Sequence, residues 1–518
     1  MSFHCATRLE GMLPRLAISL AGAAMLLALA GCGEMPRPPV AVTWVVGQGP
    51  PAFDPQGPPD AVRAALERLL SRGLVEEDST GRILPAAAES LHLSPDGLVY
   101  TFALRRGLAF SDGRPCESGD FRGAIERGVN RLDHSTTPWL LGAVVGMDRV
   151  RPGRPLPPLG IATPDPRTLV LRLARPDSLL LRKLALPGVG VPWRSDGGAG
   201  GWRDGVGDYR IETDSPGRLT LVRRGARVDL PDTIHVRFLL GAARVRALLR
   251  AGAADVVWPL PPDLLDQPLP GDYRARSTPA RPVRRLLLVQ RADLPPTTRI
   301  EARQALAHGL DRGQLVGALG ASGTEPGGWL PGGGTFDFPR RDPAEVQAWL
   351  ERGRLGRSMH VVMAYSADGP AARVARVMQV EWARLGLDVE LRPFRQPRPV
   401  TEWMRRGGAQ LLLLESQSLL DSPAADMAML VEPLRGPAIG GFRTGWRTRE
   451  FDRWIAGTAH EPLDAGWAQQ RLAEERVALP LARLPWVWVE PSHAPLRHHP
   501  RFGPELRGRM PSPITRER

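Results

Sequence analysis

Lysine is nearly absent from this chain. Of its 68 lysines and arginines, Lys183 is the one lysine. That excludes a phosphate-binding Gly-x-x-x-x-Gly-Lys loop, whose lysine has to reach the phosphates. It also recasts the formal net charge of +13. Arginines such as Arg105, Arg172, Arg246 and Arg303 are scattered and form no block. With abundant Ala, Gly and Pro, they read as the bias of a GC-rich genome. The charge is a weak pull toward anionic membrane surfaces or acidic ligands, and no nucleic-acid partner is expected. Catalytic signatures are missing too. No Gly-x-Ser-x-Gly elbow and no His-Glu-x-x-His occurs among the ten histidines; His460-Glu461 runs into Pro462, and His498-His499 reads as a solvated pair in a loop. Gly188-Val189-Gly190 and Gly205-Val206-Gly207 lack the third glycine of a dinucleotide turn. Neither a cofactor nor a metal is expected, and nothing supports an enzyme.

Long apolar runs are equally scarce. The one that stands out is Leu16–Cys32, broken only by Ser19 and preceded by Arg8 and Arg15. It is short for a permanent span. Its layout is that of a secretory signal: a basic start, an apolar middle and small residues at the cut. Met12 opens a more compact version of the same signal. Leu29-Ala30-Gly31-Cys32 resembles the lipobox of bacterial lipoproteins, in which the cysteine is acylated and becomes the new N-terminus. The expectation is a chain in the cell envelope, on the extracytoplasmic side, tied to a membrane through lipid on Cys32. Gly33 follows, not the Asp that often marks inner-membrane retention in related lipoproteins, so either membrane is open. The chain has three cysteines, Cys5, Cys32 and Cys116. After cleavage Cys116 is the one thiol besides the anchor, so no internal disulfide and no cysteine-based metal site is expected. The remaining length calls for two to three domains.

Short elements alternate along the rest. Val40–Val46, Leu98–Leu104, Thr168–Leu173, Thr233–Leu239, Arg285–Val289, Met359–Ala364, Val389–Arg392, Gln410–Leu414 and Trp486–Val489 read as strands. Asp60–Leu70, Ala242–Arg250, Ile300–His308, Gln314–Leu319, Ala371–Leu385 and Ala465–Leu479 read as amphipathic helices, with Asp311 an N-cap. Interleaved strands and helices imply an α/β or α+β class with mixed sheets.

An ordered series of short motifs gives the chain a family resemblance. It runs Phe53-Asp54-Pro55, Gly73-Leu74-Val75-Glu76, Leu84 to Ser90, Asp96 to Gly107, Phe110-Ser111-Asp112-Gly113-Arg114-Pro115, then Asp120-Phe121 and Ala124. Further pieces are Gly160 to Asp165, Thr168 to Leu173, Gly205 to Tyr209, Leu248 to Val256, Ala302 to Leu306 with Leu310-Asp311-Arg312, Gln379, Leu385-Gly386-Leu387 and Phe451-Asp452. The series resembles extracellular solute-binding proteins of the peptide/nickel/opine class, which feed ABC importers. Each motif reads as scaffold: Asp112 and Gly113 make a turn, and Gly205 and Gly207 let backbone pass close to a neighbour or ligand.

The resemblance implies a two-lobed periplasmic-binding-protein-like α/β fold with mixed sheets, a hinge and a small extra domain inserted in the first lobe. On this basis residues 1–31 are the lipoprotein signal peptide and 32–39 a tether. Residues 40–70 begin lobe I, 71–160 form the inserted domain, 161–272 continue lobe I, 273–475 form lobe II, and 476–518 return to lobe I and a tail. The implied partners are a small solute, possible peptides among them, and an ABC permease and ATPase complex; the expected state is a monomer. Peptide-binding members carry an Asp that pairs with the ligand's α-amino group. Ser418 stands at that place, and serine makes no charge-assisted bond. Glu415 or Asp421 takes over, or the ligand lacks a free amine; Asp421 also reads as a turn residue before Ser422-Pro423. The family's aromatic segment is replaced by Arg223-Arg224-Gly225-Ala226-Arg227, and its Phe-Asn by Val289-Gln290. Candidate ligand residues are Gln48, Gly49, Gln290, Trp403, Glu415, Ser418 and Asp421. The alternative is an orphan envelope lipoprotein that kept the fold as a sensor or partner-binding module.

Overall fold

In a computed structural model of the chain, the described residues run from 40 to 504. Outside the description lie 1–39, 49–60, 131–139, 152, 196–201, 226–229, 262–263, 265–266, 278–283, 321–322, 325–327, 330–337, 357–358, 368, 395–406, 418–419, 421, 423–425, 428–443, 458–464, 493–497, 500–502 and 505–518.

The chain opens with strand β1 (Ala41–Val46) and helix α1 (Ala61–Leu70). There follow β2 (Val75–Glu77), β3 (Ile83–Pro85), β4 (Ala88–Leu93), β5 (Val99–Leu104), α2 (Ser118–Val129), β6 (Ile161–Asp165), β7 (Thr168–Arg172) and α3 (Leu180–Leu184). The next stretch holds β8 (Trp193–Ser195), β9 (Trp202–Gly205), β10 (Tyr209–Ser215), β11 (Arg218–Arg223), β12 (Thr233–Phe238), α4 (Ala242–Arg250), β13 (Val256–Val257) and β14 (Tyr273–Ser277). Then come β15 (Arg284–Gln290), α5 (Ile300–His308), α6 (Arg312–Leu319), α7 (Pro343–Arg352), β16 (His360–Ser366), α8 (Pro370–Ala383), β17 (Asp388–Phe394) and β18 (Leu411–Gln417). Helices α9 (Arg449–Gly457) and α10 (Ala465–Glu475) lead to β19 (Ala478–Arg483), β20 (Val487–Pro491) and a ribbon of β21 (His498–His499) with β22 (Gly503–Pro504). The His498-His499 pair, expected in a loop, is thus a short strand.

Three larger sheets organise these elements. The first lobe is a seven-stranded sheet of order β10-β11-β12-β1-β13-β20-β14, and the second a five-stranded sheet of order β17-β16-β18-β15-β19. A four-stranded sheet, β4-β5-β7-β6, is the insert. Alternation in β1 explains its burial on both faces. Val42, Trp44 and Val46 pack with Val62, Leu66 and Leu69 of α1, while Val45 packs with Val245 and Leu249 of α4. The second lobe has the continuous apolar strands of a sheet covered on both faces. Leu286–Val289 and Leu411–Leu414 are all buried, and α8 lays Val374, Ala375, Met378 and Trp382 against them. Asp311 caps α6 by accepting from Gln314 N at 3.2 Å. At the Ser111-Asp112-Gly113 turn, Asp112 accepts from Arg114 N at 2.9 Å and Gly113 takes φ +86°.

Strand pairing moves three boundaries. β14, expected to open lobe II, pairs with β20 in the seven-stranded sheet of the first lobe. β6 and β7, expected in lobe I, belong to the insert, where β7 pairs with β5 through Phe102 and Leu169. Leu180, Leu184, Leu186 and Val189 join the same core. β19, expected beyond lobe II, pairs with β15 through Val289 and Ala478, so the chain leaves that lobe only after Arg483. For the same reason the helix expected to reach Leu479 stops at Glu475: Arg476 turns the chain at φ +53°, and the apolar run beyond it is a buried strand.

Candidate ligand cleft at the lobe crossover

Ligands of open α/β sheets lie beyond the carboxyl ends of the parallel strands. In the first lobe β1 and β13 are parallel, so this end is Val46-Gly47-Gln48 and Trp258-Pro259. In the second lobe β16 runs parallel to both β17 and β18, and the equivalent end is Ser366, Phe394 and Glu415–Gln417. Gly47 donates to Pro259 O at 3.0 Å. A Cβ there would lie 2.4 Å from Pro261 Cδ and 2.6 Å from Pro259 O, so only glycine lets the two strand ends meet. Gln48 follows at once, partly buried at this rim.

Behind the rim three tryptophans form a ladder. Trp44 donates its indole N–H to Trp258 O at 2.7 Å, and the two rings stack with centroids 6.1 Å apart. Trp486 meets Trp258 edge-on at 5.3 Å. The guanidinium of Arg284 lies 3.6 Å over the Trp486 ring, donates to Glu415 Oε2 at 2.6 Å and reaches Pro485 O at 3.4 Å. Burial pulls the Arg284 pKa below its ordinary value, and the Glu415 charge opposes that shift. Leu484 N donates to Arg284 O at 2.9 Å. One arginine therefore joins the tryptophans of the first lobe, the 484–486 crossover and β18 of the second lobe. Gly369, φ +80°, caps α8, and a Cβ there would lie 3.0 Å from Glu415 Oε1.

The sequence candidates separate under this geometry. Gln48 and Glu415 lie at the carboxyl ends of the parallel strands. Gln290 does not. It pairs with Leu411, the first residue of β18, at the end of the sheet remote from Glu415. It is fully buried, and its amide donates to Arg303 O at 3.1 Å and Arg476 O at 2.8 Å. Gln290 is thus a core residue, because β15 runs antiparallel to β18. Gly49, Trp403, Ser418, Asp421 and the lipidation candidate Cys32 lie outside the described residues.

No motif in the sequence marks Arg224. Its guanidinium donates to Ala109 O and Phe110 O, both at 2.9 Å, and to Gly205 O at 3.2 Å and Gly207 O at 3.4 Å. It thereby staples the insert to the first lobe where the family's aromatic segment is missing. No motif marks Arg284 either; its one signal in the sequence is the arginine pair Arg284-Arg285 that opens the apolar run of β15. Among the described residues no group of three or more His, Cys, Asp or Glu side chains could hold a metal ion. No helix among them is long and apolar enough to cross a membrane.

Two α/β lobes, a domain inserted in the first and a crossover beneath the strand ends define a two-lobed binding protein of the periplasmic type. The chain belongs to the bacterial extracellular solute-binding proteins, family 5, whose middle region matches residues 82–435. As a member of a binding-protein family it is not an enzyme. The glutathione-binding protein GsiB of Salmonella choleraesuis is 26% identical over 230 residues, 42% of each chain. The periplasmic oligopeptide-binding protein OppA of Escherichia coli is 29% identical over 141 residues, 26% of this chain and 25% of its own. The chain thus spans about two fifths or less of the length of these curated relatives. The murein tripeptide binding protein MppA of Escherichia coli has the same fold, with a TM-score of 0.75 at 19% identity over 91% of this chain and 97% of its own. So does Haemophilus influenzae OppA in complex with RPPGFSPFR, with a TM-score of 0.74 at 19% identity over 91% and 99%.

Proposed function

We propose that this chain is the lipid-anchored, extracytoplasmic solute-binding component of an ABC importer. It captures an oligopeptide or similar small polar solute by hinge closure and delivers it to a permease. The observation that carries this reading is the crossover: Arg284 lies over Trp486, which packs on Trp258 at the parallel-strand end of the first lobe, and it donates to Glu415 at the parallel-strand end of the second. A ligand touching both lobes favours the closed form by its extra contacts, with no covalent step. Relatives named for glutathione and oligopeptide binding support the peptide class. The anchor rests on Cys32 and its preceding apolar run. The domain plan is that of the sequence with the three boundaries moved as above. Native mass spectrometry of the protein purified from its own host tests the reading. A reproducible extra mass that leaves on denaturation is expected; a bare protein under every growth condition overturns it. Membrane retention lost in Cys32→Ala supports the anchor, and unchanged retention refutes it.

A sensor or partner-binding module is the second reading. It is favoured by Arg224, whose donors are spent on backbone where the family has an aromatic segment. An intact permease and ATPase encoded beside this gene, with uptake lost on deletion, would exclude it.

A further inference from the structure

The two arginines that open β15 point to opposite faces of the second-lobe sheet, as neighbours on a strand do. Arg284 goes to the clamp. Arg285 goes to the other face, where it is 3% exposed. Its guanidinium donates to Trp329 O at 2.8 Å, reaches Asp426 Oδ2 at 3.5 Å and lies 5.0 Å from the centre of the Trp329 ring. Trp329 is fully buried, and its backbone N–H donates to Gln469 Oε1 of α10 at 2.7 Å. Arg483 of β19 is the direct cross-strand partner of Arg285, so the two side chains share a face. Thr324, a few residues before Trp329, exchanges both backbone hydrogen bonds with Arg483, at 3.0 and 2.9 Å.

This cluster is short of acceptors and of negative charge. The carboxylate that opposes the two arginines is Asp426, 5% exposed, and its 3.5 Å to Arg285 is long beside the roughly 2.7–2.9 Å of a charge-assisted bond. Burial lowers the Arg285 pKa below its ordinary value; the Asp426 charge opposes that shift and the Arg483 charge adds to it. Two cations thus share one anion. Arg285 Nε, Arg483 Nε and the Trp329 indole N–H are buried with no hydrogen-bond partner among the described residues. Buried donors left unmet and a buried charge left unbalanced are both costly, and one anion answers both. A water accepts hydrogen bonds but brings no charge.

We infer that Arg285, Arg483 and the Trp329 indole bind one small monovalent anion, of halide or carboxylate type, inside the second lobe. The charge count selects a single negative charge, and donors that are all N–H select an acceptor. The site is separate from the solute cleft, because Arg285 faces away from Arg284 and both Trp329 and Asp426 are closed off from solvent. An anion there ties together β15, β19 and the segment that follows β18.

Melting of the full chain at constant ionic strength, with sodium chloride replacing sodium gluconate, tests the site. Screening is the same in both salts, and gluconate is too bulky to reach buried donors. The melting temperature is expected to rise with chloride, in the manner of a ligand that binds the folded state alone. Arg483→Met should abolish that rise while melting no lower than the parent in gluconate, since the like charge beside Arg285 is gone. Trp329→Phe keeps a ring without its N–H and should need about fivefold more chloride for the same rise, the worth of one hydrogen bond. Bromide soaked into crystals is expected to give an anomalous peak within hydrogen-bond reach of Arg285 Nε. Equal melting in both salts, or a chloride response unchanged in both variants, overturns the proposal. So does Arg483→Met melting below the parent in gluconate, which would make that arginine structural. A bromide peak at Glu415 or Gln48 and none at Arg285 assigns the anion to the solute cleft and overturns a separate site.

Discussion

Lys183, the single lysine, is buried. Its ammonium lies 2.6 Å from Asp177 Oδ2, with the two side chains 8% and 0% exposed. Asp177 Oδ1 also accepts from Leu179 N at 3.0 Å, so the carboxylate holds the start of α3. Breaking such a pair from one side strands a charge, so Lys183→Met is expected to cost about 3–5 kcal/mol in urea unfolding. Lys183→Met/Asp177→Asn should recover most of that loss; a single substitution no worse than the double would show that the pair is not coupled. Glu381 works in the opposite sense. It is buried on α8, burial raises its pKa above the usual carboxylate range, and the N–H of Asp311, donated at 3.0 Å, offsets only part of that. A raised folded pKa means that the folded state holds the proton more tightly. Its contribution is fully present below about pH 4.3, the unfolded value, and is lost as pH rises through the folded value. Glu381→Gln should therefore be more stable than the parent at pH 7, with the difference closing toward pH 4, as followed by melting temperature against pH.

Among the elements, the turn between β9 and β10 shows why two glycines were visible but not their partner. A Cβ on Gly205 would come 2.3 Å from Leu70 O, and one on Gly207 2.4 Å from Leu69 O. The close neighbour is the last turn of α1, not a ligand, and Arg224 holds the same turn from the other side. Gly207→Ala is expected to cost about 1–3 kcal/mol, since backbone cannot give way as a side-chain tip can. Arg224→Met should loosen the insert, raising hydrogen exchange at 109–110 and 205–207 while leaving the second-lobe sheet protected. Uniform exchange changes across both lobes would contradict that division. Helix ends followed local rules where a cap was present, as at Asp311. They failed at α10, where the apolar run Val477–Ala482 had the composition of either a buried helix or a buried strand.

At the level of the whole molecule, Arg284 is the described side chain that joins the tryptophan ladder of one lobe to β18 of the other. Its removal leaves Glu415 without a counter-charge and Trp486 without its cation. Arg284→Met is expected to resolve one calorimetric transition into two, as the lobes lose their coupling; an unchanged single transition would show that they do not depend on the clamp. The strands and helices themselves were legible because each buries a period-2 or period-3.6 face, and β1, α4, α5 and β15 fall within a residue of the pattern. Domain edges were less legible: β6, β7 and β19 take their lobe from pairing partners far along the chain. The cleft candidates divided likewise. Gln48 and Glu415 follow parallel-strand ends that sequence order suggests, whereas Gln290 lies at the wrong end because strand direction is not written in β15 itself. The sequence alone determined the class and the family motifs, since these rest on composition, periodicity and local turns. Only the tertiary structure decided which arginines clamp or staple, because that depends on residues more than a hundred positions apart meeting in space.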